Sequence, residues 1–110
     1  MTEVTVLHGD DGNVIGLRGN GHSGSEPSGQ NIVCASITTV FEFLSQGASQ
    51  YPDSSFTFQQ DPEIPRWRIE FMPENMSDSQ LETMRSFLAA AIGVVNNIAE
   101  QYPDRCRLND

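Results

Sequence analysis

The segment from Met76 to Tyr102 constrains the fold of this chain more than any other. Leu81, Met84, Leu88, Ala91, Val95, Ile98 and Tyr102 recur at intervals of three and four residues, the spacing that lines one face of an α-helix. Ser77 and Gln80 have the spacing of a capping box at its start, and Pro103 stops it because proline cannot continue the helical hydrogen-bond ladder. So long a helix with one apolar stripe needs a broad partner surface. A coiled-coil seam would supply one, but one helix packing against a sheet accounts for the stripe better.

Residues 3–8, "EVTVLH", alternate around Val4 and Val6 in the period-two pattern of a half-buried strand. "GDDGN" follows as a turn and "VIGLRG" as the returning strand of a hairpin. Residues 19–31 have no periodicity. From Ile32 the period changes: Val33, Ile37, Val40, Phe41 and Leu44 predict a helix, with Gly47 as its stop. "SSFTFQQ" and "PRWRIEFMP" are two further strands. In the second, Trp67, Ile69 and Phe71 share one face and Arg66, Arg68 and Glu70 the other. The "DPEIP" loop between them is stiffened by two prolines. The order is β-β-α-β-β-α with a short tail. The expected fold is α+β, a two-layer sandwich with two helices on one face of a mainly antiparallel sheet, forming one domain over residues 1–110.

Composition narrows the function classes. With 37% hydrophobic and 19% charged residues over 110 positions, the chain is an ordinary globular domain able to bury a core without metal or disulfide staples. "MTEVTVLHGDDG" has neither the basic nor the apolar region of a signal peptide, and "SFLAAAIGVV" is too short to span a membrane. Two cysteines without a secretory signal point to the cytoplasm and to free thiols, with a Cys34–Cys106 disulfide as the alternative. Fifteen acidic residues oppose six basic ones, all Arg, for a net charge of −9. Such a charge repels a phosphate backbone, which argues against direct nucleic-acid binding, and favours basic partners such as ribosomal proteins.

The chemistry-bearing stretch is "GNGHSGSEPSGQNIVCAS", residues 19–36. "GNGHSG" matches G-x-G-x-x-G after a strand, but a dinucleotide site requires the helix to open at the motif, and "SEPSGQN" intervenes. A smaller anion at the helix start is an alternative. His8, His22, Cys34 and Cys106 lack the close paired spacing of a metal site, and Ser23 has no nucleophile elbow around it. No metal and no cofactor is expected.

Cys34 stands out by position. Asn31 is a good N-cap, so Cys34 falls in the first helical turn, where unpaired backbone N–H groups and the helix dipole stabilise an anion. The expected result is a lowered thiol pKa, and the same N–H groups could form an oxyanion hole. His22, at the end of the second strand, has the pKa range to take and return a proton. On residues alone, a Cys–His dyad competes with a buried structural cysteine and an unrelated loop histidine.

The same residues resemble the ribosomal-processing cysteine proteases. That family carries a Gly-His at the end of its second strand and, about a dozen residues later, an Asp-Ile-Val-Cys-Ala helix start. Gly21, His22, Ile32, Val33, Cys34 and Ala35 match it, and Thr38 stands where members usually carry Ser. The hairpin, the 77–102 helix and the final "CRLN" agree in order. Asn31 departs from the usual Asp; Asn still caps the helix, and a contribution of the Asp carboxylate to orienting His22 would be lost.

The resemblance implies a cytoplasmic, cofactor-free endopeptidase and homodimer that trims a short N-terminal extension from large-subunit ribosomal protein number twenty-seven. Cys34 would be the nucleophile and His22 the general base and then acid. Gly21, Ser23, Gly24, Gly29, Asn31, Ala35 and Thr38 would shape the substrate loop and its borders, with 23–30 as a mobile gate. A non-catalytic module that binds a ribosome precursor is the alternative from another class.

Overall fold

The computed structural model describes residues 1–21, 32–61 and 66–110. Strands β1 (Thr2–His8) and β2 (Val14–Asn20) form the expected hairpin, with Gly12 taking a left-handed φ of 84° in its turn. Helix α1 (Ile32–Ala48) follows, then β3 (Phe56–Asp61), β4 (Arg66–Phe71) and helix α2 (Asp78–Gln101). The final strand, β5 (Cys106–Asn109), was expected only as a tail. It pairs in parallel with β1, Thr2 opposite Cys106, and the Thr2 N–H donates to the Arg105 carbonyl at 2.8 Å. Four residues carry too little periodicity to announce a strand; the partner lies at the other end of the chain.

The sheet runs β3-β4-β2-β1-β5, antiparallel except at β1–β5. Alternation sends Val4, Val6, Leu17, Trp67, Ile69 and Phe71 inward, where they are buried with Ile37, Phe41 and Leu44 of α1 and Met84, Leu88 and Val95 of α2. Both helices therefore cover one face, as the sequence predicts. Helix α1 contacts β4, and α2 contacts β2 and β5.

Local chemistry fixes the helix ends. Ser77 accepts from the Gln80 N–H at 3.2 Å while the Gln80 side chain accepts from the Ser77 N–H at 2.9 Å, completing the capping box. Gly47 does not terminate α1; it lies inside the last turn, where an added Cβ would come within 3.2 Å of the Phe87 ring. Its small size admits the aromatic ring of α2.

Candidate active site at the start of helix α1

Strand β2 delivers the chain to the site under tight control. Gly21, just past its end, has φ +93°, and an added Cβ would sit 2.4 Å from the Met1 carbonyl oxygen. Only glycine tolerates both the left-handed backbone and that approach. The Thr2 hydroxyl, fully buried, donates to the Gly21 carbonyl at 3.2 Å. The end of β2, the start of β1 and the turn before β5 are thus bound together. Thr2 was missed in the sequence because its partner is a backbone carbonyl nineteen residues away.

Cys34 is the third residue of α1 and only 7% exposed, at the border of the core. Its setting corrects one sequence expectation. Burial pushes the thiol above its ordinary pKa of 9.0, and the Thr38 side chain opposes that shift by hydrogen bonding. Position in a first turn is visible in sequence, whereas removal of the thiolate from water is not, and desolvation is the leading cause of the upward shift. The Thr38 hydroxyl donates to the Cys34 carbonyl at 2.8 Å. A hydroxyl has a single proton, so supporting a thiolate requires it to rotate from that carbonyl toward sulfur.

The faces of α1 sort the surrounding residues. Thr39, Val40 and Phe43 line a recess of about 330 Å³ with Ala90, Ala91 and Val94 of α2. Cys34 and Thr38 lie on the side of α1 away from α2, by the 100° advance per residue of the helix. Ala35, next to the thiol in sequence, is exposed. Deeper along the helix, Phe41 stacks on Trp67 with ring centroids 5.6 Å apart. Gly19 makes room for the pair, since an added Cβ would be 3.0 Å from Phe41 and 3.1 Å from Trp67.

Of the residues singled out in the sequence, Gly21, Cys34, Ala35 and Thr38 are placed around the β2 end and the α1 start. His22, Ser23, Gly24, Gly29 and Asn31 lie outside the described residues, as does the 23–30 gate. Cys34 and Cys106 are both thiols, not a disulfide. Cys106 is 2% exposed, and burial alone pushes its thiol up. His8 ends β1 on the surface, its ring contacting Asp110 at 2.7 Å and the Gly12 carbonyl at 2.9 Å. Among the described residues no group of three or more His, Cys, Asp or Glu side chains could hold a metal, and no helix is long and apolar enough to cross a membrane.

A buried thiol in the first turn of α1 and a strand end pinned at Gly21 are the two described parts of the candidate site. Comparison with known proteins defines the class: the cysteine protease Prp family matches residues 1–107, and the chain belongs to that family of cysteine proteases. Its fold matches the essential ribosomal processing protease Prp from S. aureus with a covalently linked product peptide, at TM-score 0.77 and 23% identity over 99% of this chain and 98% of that one. The same S. aureus protease with a substrate peptide gives TM-score 0.77 and 20% identity, covering 99% and 98%. A Streptococcus mutans protein, SMU.848, gives 0.76 and 21%, covering 99% of this chain and 92% of that one. Comparison with curated proteins gives no match.

Proposed function

We propose that this protein is an endopeptidase that removes a short N-terminal extension from large-subunit ribosomal protein number twenty-seven, working in the cytoplasm as a single catalytic domain. The observation that carries the reading is Cys34 in the first turn of α1, in a chain of the cysteine protease Prp family. The S. aureus proteins of like fold, a ribosomal processing protease with substrate and product peptides, favour the same substrate class.

In this mechanism His22 takes the Cys34 proton and the sulfur attacks the scissile carbonyl, forming the C–S bond of a tetrahedral intermediate. Backbone N–H groups at the start of α1 stabilise its oxyanion. Collapse breaks the C–N bond, and the His22 imidazolium gives its proton to the leaving amine. Water, deprotonated by His22, then hydrolyses the thioester and restores the thiol.

The substrate is an extended, partly apolar peptide with an aromatic residue before the cut, whose burial holds the bond against the thiol. The net charge of −9 attracts the basic body of a ribosomal protein behind it. The protein works as a homodimer. Phe43, 57% exposed, and Val94, 47% exposed, flank the recess between α1 and α2 and supply an apolar contact surface. Cleavage of a synthetic peptide from the matching ribosomal precursor tests the function: a single cut is expected, slowed when the preceding Phe is replaced by Ala. Undiminished cleavage of the Ala peptide removes the aromatic anchor, and no cleavage of any precursor peptide removes the reading. Sedimentation tests the dimer, and a monomer at high micromolar concentration contradicts it.

A further inference from the structure

The two edges of the sheet are not alike. β5 is four residues long and carries Arg107, whose guanidinium reaches Glu3 at 3.5 Å. β3 is six residues long, with no charge before Asp61 and no proline inside it. Proteins usually blunt an edge strand with brevity, charge or proline. β3 pairs only with β4 among the described residues and has none of these until its last residue.

The register shows what that edge offers. The Met72 N–H donates to the Ser55 carbonyl at 2.7 Å, so Ser55 and Met72 are a hydrogen-bonded pair that continues the β3–β4 ladder. Antiparallel ladders alternate between bonded and non-bonded pairs. Thr57, Gln59 and Asp61 therefore bond toward β4, while Phe56, Phe58 and Gln60 direct their N–H and C=O groups off the sheet.

The edge also leads to the site. Asn20, beside Gly21, pairs with Arg66, and Arg66 pairs with Asp61. Two strand spacings separate the end of β2 from the end of β3, about 10 Å. The side chains of Phe58 and Gln60 share the face of Ile69 and Trp67, the face covered by α1, and Cys34 lies on the side of α1 away from α2, which is the β3 side. A recess of about 560 Å³ also opens at this end of the sheet, but Arg18, Gln59, Arg66 and Arg68 in its lining place it mainly on the face away from the helices.

We propose that β3 is the docking strand for the substrate: an extended peptide adds to the sheet beside β3, bonding to the outward backbone groups of Phe56, Phe58 and Gln60, and its scissile end is thereby carried toward Cys34. This rests on the proposed protease activity and specifies how that site holds its substrate. Backbone pairing gives affinity independent of sequence, leaving discrimination to the peptide's alternate side chains. An extended peptide suits this edge because its own outward N–H and C=O groups repeat at the two-residue period of β3.

Turnover of a synthetic peptide with one Phe among aliphatic residues is compared for the wild type, Thr57→Ala and Gln60→Pro. Proline at Gln60 deletes an outward N–H and leaves the β4 ladder intact, whereas Thr57 bonds toward β4 and its exposed side chain lies outside the proposed contact. The inference predicts a fall in kcat/KM of about tenfold for Gln60→Pro, little change for Thr57→Ala, and similar melting temperatures. Wild-type cleavage with equal cleavage by a folded Gln60→Pro overturns the docking strand and leaves the protease standing. Amide exchange on the Cys34→Ala protein decides independently of turnover or of the folding of Gln60→Pro. Protection of Phe56, Phe58 and Gln60 on adding the peptide supports the inference even if the wild type cleaves nothing, in which case the protease reading alone fails. No added protection overturns it. Protection without peptide that grows with protein concentration assigns the edge to a second copy and also overturns it.

Discussion

Helix α2 opens on a closed set of hydrogen bonds, whereas α1 opens with a thiol in its first turn. At α2, Ser77 and Gln80 satisfy each other's backbone donors, Asp78 complements the helix dipole, and the turn lies at the surface. At α1, no acidic side chain occupies the first turn, Ile32 is exposed and Cys34 is buried against the core. The contrast separates two uses of one physical feature. Backbone N–H groups at a helix start can be consumed by a cap, as at α2, which stabilises the fold; in the proposed mechanism those of α1 serve a reacting anion, which stabilises chemistry.

Substitutions at each start sharpen this contrast, beginning with the largest expected effect. Cys34→Ala should lower peptide cleavage by about a thousandfold or more while leaving the melting temperature close to wild type, because the nucleophile is lost and little volume changes. Retained turnover in a steady-state assay would break the comparison. Gly21→Ala should cost about 2–3 kcal/mol in denaturant unfolding, since the left-handed φ and the Met1 carbonyl both reject a Cβ. Its turnover should fall as well, because the strand end leading to His22 must shift.

Ser77→Ala, at the closed start, should cost about 1 kcal/mol in the same unfolding experiment and leave kcat/KM unchanged. A fall in turnover there would show that α2 capping also positions the site. The smallest effect is expected for Thr38→Val. The hydroxyl lowers the Cys34 pKa against the upward push of burial, so its removal should raise that pKa further. With less thiolate accessible at neutral pH, turnover should fall a few-fold there and recover as the pH rises. A pH–rate profile that overlays the wild type would exclude a role for the hydroxyl.

The parts of this structure that were legible in the sequence are those set by local period and local chemistry. The 2–8 and 14–20 hairpin, the start of α1 at Ile32, the Ser77–Gln80 cap and the alternation of Trp67, Ile69 and Phe71 all depend on residues within a few positions of one another. β5 was not legible, because its four residues become a strand only by pairing with β1 across the whole chain. The sign of the Cys34 pKa shift was misread for a related reason. The first turn of a helix is a local property, but the desolvation that raises the thiol comes from the packed interior. At the candidate site, sequence marked Gly21 and Cys34 but not Thr2, whose hydroxyl ties the strand end in place.

The central claim is that Cys34, and not the more deeply buried Cys106, is the nucleophile. A peptide chloromethyl ketone ending in Phe, mixed with the native protein and followed by peptide mass mapping, tests it most directly. The account predicts one covalent adduct, on Cys34, with loss of peptide cleavage in proportion to labelling and no adduct on Cys106. Labelling of Cys106 at the same rate, or undiminished cleavage after Cys34 is fully modified, would contradict it.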